Sequence, residues 1–149
     1  MVSGHPRLIG VAVLVAAALV AGCGDDYDGT SASSTNSAEV SSDMLDGRTF
    51  ESTDVSGETL VDGTNVTLTF EGDAMSADAG CNTLNATYEV EDGALTIGPM
   101  NQTMMACEDE LELQSAWVAA LLDGEPTVTL VDDTLTIASD STTVTFQST

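Results

Sequence analysis

From Leu45 onward, apolar and polar residues alternate in short runs separated by Asp-Gly, Gly-Asp and Asp-Asp. Residues 65–70 place Val66, Leu68 and Phe70 on one face and Thr67 and Thr69 on the other, the period of a half-buried strand. Leu84, Ala86, Tyr88 and Val90 repeat that pattern, and Asp92-Gly93 signals a hairpin returning through residues 94–97. Residues 48–53 and 74–79 read as further strands, the second entered through the turn Glu71-Gly72-Asp73. Pro99 ends the 94–97 run because it cannot donate to a ladder. The period then becomes helical. Glu108, Asp109 and Glu110 suit the positive end of a helix dipole, and Leu111, Val118 and Leu122 form a stripe with Trp117 and Leu121 beside it. Gly124 stands at the C-cap position and Pro126 forbids continuation. Residues 127–131, 134–138 and 142–146 complete a pattern of about eight strands and one helix, a mainly β chain with one α-helix.

The beginning of the chain follows other rules. Residues 8–21 are an unbroken apolar run, shorter than the roughly 20 residues of a bilayer span, so 1–22 reads as a signal peptide. Val20-Ala21-Gly22-Cys23 resembles a lipobox, which makes Cys23 the expected acylated first residue. Residues 23–43 are dominated by Ser, Thr, Asp and Gly and cannot bury enough to offset chain entropy, so they read as a disordered tether to a domain over 44–149. The expected location is a cell membrane, lipid-anchored, with the domain facing the extracytoplasmic side.

Charge narrows the chemistry. The chain carries 25 acidic residues against Arg7 and Arg48, has no lysine, and has a net charge of −23. Its single histidine, His5, lies within the leader. A mature chain so composed has no imidazole base, Schiff-base amine or imidazole metal ligand, so no enzyme and no cofactor are expected. Nucleic acid is excluded as a partner because phosphate contacts need a basic patch. Asp25, Asp26 and Asp28 lack the spacing of a calcium loop, and no metal site is assigned. The acidic surface points to solubility or a salty environment.

Cys81 and Cys107 are an even pair in an oxidising compartment, which favours a disulfide, free buried thiols being the alternative. A catalytic thiolate would need a cation nearby, and the mature chain has Arg48 alone. Asn82 and Thr103 flank the cysteines and suit turn capping, or else a polar binding patch. Met100, Met104 and Met105 suit core filling, or else an adaptable apolar groove. Trp117 is expected to be buried by the sheet. Acid pairs such as Glu89/Glu91 and Glu108/Glu110 have no aromatic sugar platform beside them.

Leu45-Asp46-Gly47-Arg48-Thr49-Phe50, Thr67-Leu68-Thr69-Phe70, Gly80-Cys81-Asn82, Tyr88, Thr103-Met104-Met105-Ala106-Cys107 and the Trp117 helix together resemble a META domain of the HslJ-like family. Phe50 stands where that family usually has Trp. The resemblance implies a strongly bent antiparallel sheet, or open barrel, wrapped around a single amphipathic helix, and it supplies no settled activity. The expected role is a non-catalytic binding or interaction module of the cell envelope, held by its lipid and engaging an envelope protein or a small apolar ligand. Asn82, Met100, Thr103, Met104, Met105 and Trp117 are the candidate binding residues. The alternative is a structural or stress-protective envelope lipoprotein without a specific ligand.

Overall fold

A computed structural model of the chain describes residues 39–149. The leader, Cys23 and Asp25–Asp28 lie outside the described residues. Among the described residues the first buried side chain is Val40, ahead of a single helical turn, α1 (Ser42–Leu45). The Ser42 hydroxyl accepts the Val90 amide at 3.0 Å, and its carbonyl accepts the Tyr88 hydroxyl at 3.2 Å.

Strands β1 (Thr49–Ser56), β2 (Thr67–Glu71), β3 (Ala74–Asp78), β4 (Thr83–Glu91) and β5 (Ala94–Ile97) each pair antiparallel with the next. A two-residue strand, β6 (Asn101–Gln102), resumes the line of β5 along β4 after the break at Gly98-Pro99-Met100. The helix α2 (Asp109–Asp123) comes next, then β7 (Thr127–Val131), β8 (Thr134–Ala138) and β9 (Thr143–Ser148). The alternation that fits Val66, Leu68 and Phe70 to one face is the observed burial pattern, with threonines between them half-exposed. Asp92 and Gly93 both adopt positive φ (51° and 74°), the backbone a two-residue hairpin loop needs to match strand twist. At the end of α2, Gly124 keeps a negative φ of −81°, and the left-handed position falls to Glu125 at φ 49°.

The sheet does not stay open. β9 returns to pair with β1 from Phe50↔Ser148 to Ser56↔Thr143, with a register shift between Ser52 and Asp54, and this closes an up-and-down ring of eight strands. The expected architecture, a bent sheet or open barrel wrapped around one helix, is therefore corrected to a closed antiparallel barrel with the helix outside it. The reason is size: an eight-stranded barrel has an interior just wide enough for its own side chains. Phe50, Leu68, Phe70, Leu95, Leu135, Ile137 and Phe146 are all buried. Phe70 meets Phe50 and Tyr88 edge-on, with centroids at 6.0 and 4.8 Å.

The helix finds its place where the ring is weakest. β5 and β7 share the single register pair Ala94↔Thr127, and α2 packs beside β5 at that seam. Val118, Leu121 and Leu122 join the core from the helix. The buried stripe is rotated from the expected one: Leu111 is half-buried, while Gln114 and Ser115 are buried in line with Val118. No helix among the described residues is long and apolar enough to cross a membrane.

Candidate functional site

One end of the barrel collects the chain's irregular segments. The β1–β2 loop (57–66), the β3–β4 turn (79–82) and the stretch 98–108 all meet the first half of α2 there. Gln114, 1% exposed, ties three of these pieces together. Its Oε1 accepts the Val61 amide at 2.7 Å, and its Nε2 donates to Ala79 O at 2.8 Å and to Thr64 Oγ1 at 3.0 Å. Thr64 Oγ1 in turn donates to Val61 O at 2.8 Å. A buried amide with all these partners is a fixed joint between helix, loop and strand end.

A second joint lies on the other side of the helix start. Cys81 and Cys107 are joined in a disulfide, with Cα atoms 6.3 Å apart, linking the β3–β4 turn to the residue before the helix N-cap Glu108. The buried Asn82 side chain accepts the Met105 amide at 2.9 Å and the Thr103 hydroxyl at 3.2 Å through Oδ1. Thr103 Oγ1 accepts the Thr83 amide at 3.0 Å, and Thr103 N donates to Thr83 O at 3.1 Å. Stretch 103–107 is thus pinned by the Thr103 hydroxyl, the Met105 amide and the disulfide, while the two methionine side chains between them are exposed. Met104 is 99% exposed and Met105 63% exposed. With Asn82, Thr103, Ala106 and Glu112 they line a shallow groove beside α2. The core-filling expectation fails for these two methionines, because Phe, Leu and Ile already occupy the barrel; Met75 of β3 is buried instead.

Trp117 belongs to a different groove. It is half-buried against the core, not enclosed by the sheet, because the helix carrying it lies outside the barrel. It shares its groove with Leu60, Leu113 and the carboxylates of Glu58, Asp62 and Glu110. Its Nε1 is buried with no hydrogen-bond partner among the described residues. Met100 is half-buried and lines neither groove. So Asn82, Thr103, Met104 and Met105 come together, Trp117 stands on the loop side of α2, and Met100 stands apart. Gln114 and Leu60 are the site residues that sequence reasoning missed. Gln114 on the apolar stripe, one turn before Val118, was the available signal.

The electrostatics are one-sided. Asp25, Asp26 and Asp28 aside, 22 carboxylates lie among the described residues, and none is buried. Arg48 meets Asp133 at 2.8 Å and lies 4.8 Å over the Phe50 ring, which uses the only basic group among the described residues. Glu108, Asp109, Glu110 and Glu112 concentrate negative charge at the start of α2, between the two grooves. Tyr88 has its pKa raised above 10.0, first by burial and then by Asp46, Asp43 and Asp73. Among the described residues no group of His, Cys, Asp and Glu is placed to hold a metal ion. With both cysteines oxidised, this end of the barrel offers apolar contact, backbone hydrogen bonding and negative charge.

The META domain family model matches residues 43–149. No curated protein matches the chain. Among solved structures, an NMR structure of one protein is 22% identical with a TM-score of 0.62, covering 72% of this chain and 94% of its own. An NMR structure of a protein from Burkholderia xenovorans is also 22% identical, with a TM-score of 0.59, covering 72% of this chain and 86% of its own. A crystal structure of a DUF4847 family protein from Bacteroides vulgatus is 13% identical with a TM-score of 0.50, covering 70% and 94%. At such identities the likeness is one of fold. The family match spans the whole barrel, its helix and both cysteines, and the chain belongs to the META domain family.

Proposed function

We propose that this META domain is a non-catalytic binding module, held at the outer face of a cell membrane by a lipid on Cys23, with its binding surface at the end of the barrel around the first half of α2. The observation that carries this reading is the presentation of Met104 and Met105. Two large apolar side chains are 99% and 63% exposed on a segment fixed by a disulfide and the Asn82 hydrogen bonds. Exposed apolar groups on a pre-ordered backbone lose little entropy on binding, so they contribute to affinity more than the same groups on a loose loop. Methionine also adapts its shape to a partner.

The anchor rests on the apolar run 8–21 and on Val20-Ala21-Gly22-Cys23. The test compares native protein with Cys23→Ser and with Met104→Ser/Met105→Ser, each followed through cell fractionation, purified from the fraction that holds it and analysed by mass spectrometry for co-purified molecules. Cys23→Ser is expected to leave the membrane fraction. The methionine double variant is expected to stay there, melt like the native protein and lose a partner that the native protein retains. A double variant with an unchanged set of partners would remove the methionine surface from the reading.

A further inference from the structure

We infer that the groove between the β1–β2 loop and α2 binds a cationic peptide segment that alternates basic and apolar side chains. The inference rests on the binding-module reading and assigns it a second surface and a ligand class. The groove has an apolar part, which we call its floor, made by Leu60, Val61 and Trp117 and extended along the helix by Leu113, itself 69% exposed. Its rim carries Glu58 and Asp62 from the loop and Glu110 from the helix. None of these three carboxylates has a hydrogen-bond or ion-pair partner among the described residues, and the rim contains no basic group. An occupant must therefore bring its own positive charge together with apolar side chains to cover the floor.

The chain cannot supply that occupant itself. A second copy would bring the same net charge of −23 and no lysine, so like charges would face each other across the groove. An anionic lipid surface would be repelled for the same reason. A basic segment of another protein meets both requirements, and its guanidinium groups can stack on the indole as well as pair with the rim. One wall is fixed in advance: Gln114 holds the loop to the helix through Val61, and Trp117 is packed against the core.

Trp117 is the only tryptophan in the chain, so its emission reports on this groove alone. The full chain in uncharged detergent is titrated with a short capped peptide alternating arginine and leucine, then with its arginine–serine and glutamate–leucine counterparts. The arginine–leucine peptide is expected to bind and shift the emission, and the other two are not. Glu58→Gln/Asp62→Asn/Glu110→Gln is expected to weaken binding about tenfold, since exposed charge pairs contribute modestly each. Glu71→Gln/Glu91→Gln/Asp132→Asn, which removes the same charge at the opposite end of the barrel, is expected to change binding less than about twofold. Equal loss in both triple variants would reduce the effect to overall charge and overturn the groove. Equal binding by the arginine–serine peptide would also overturn it, because the apolar floor would then contribute nothing. Binding that leaves the emission unchanged but is lost in Met104→Ser would place the ligand on the methionine side, which sinks the groove and keeps the binding module. No binding at all overturns the groove, while the co-purification comparison decides the module separately.

Discussion

Gln114 occupies a helix position where the apolar stripe calls for a leucine, and its amide is what holds the β1–β2 loop against α2. The period of 3.6 marks it as a polar residue on the stripe but does not give its partners, because Val61, Thr64 and Ala79 come from distant parts of the chain. Asn82 was more legible: a polar residue beside a cysteine suits turn capping, and it does bond to the backbone of Met105. The methionines were half-legible. Their type suits either core or groove, and which one applies depends on how much of the barrel interior the phenylalanines and leucines fill. Tyr88 allows a prediction at this scale. Burial and the carboxylates of Asp46, Asp43 and Asp73 raise its pKa above 10.0, so the folded state holds the phenol proton more tightly than the unfolded state does. Stability contributed by that proton is complete below pH 10.0 and is lost as pH rises from there toward the folded-state pKa. Thermal melts above pH 10 should fall more steeply for the native protein than for Tyr88→Phe. Parallel curves would show that Tyr88 does not govern the alkaline limb.

At the scale of elements, all eight barrel strands were readable because the period of two is written within each strand. Their closure was not. Alternation says that one face is buried, but pairing of β9 with β1 joins residues at opposite ends of the domain. The position of α2 outside the ring follows from that closure and was equally hidden. β6 escaped notice because two residues after a proline carry no period. The disulfide belongs to this scale, since it joins a turn of the barrel to the segment leading into the helix. Closing a loop with a sequence separation of 26 contributes about 3.5 kcal/mol by chain-entropy reasoning. Cys81→Ser/Cys107→Ser should lose about that much in chemical denaturation, and reduction of the native protein should match it. A double variant as stable as the native protein would mean that Asn82 and Gln114 hold this end without help.

The molecule as a whole carries a net charge of −23, with every described carboxylate at least partly exposed and one arginine already paired. Such a surface repels itself more when compact than when expanded. Raising salt from 0.1 M to 1 M shortens the Debye length from about 10 Å to 3 Å, so the melting temperature should rise over that range, equally in sodium and potassium chloride. A melting temperature flat in both salts would contradict this reading of the acidic surface. On the proposed reading, the exposed apolar residues at the helix end of the barrel are the surface for contact. That claim is tested most directly by placing a photo-crosslinking side chain at position 104 of the full chain in its native cell, and at position 131 for comparison. Val131 is 68% exposed on the β7–β8 hairpin at the opposite end. A discrete adduct from position 104 and none from 131 is the predicted result. The same adducts from both positions, or none from 104, would contradict a binding surface at this end of the barrel.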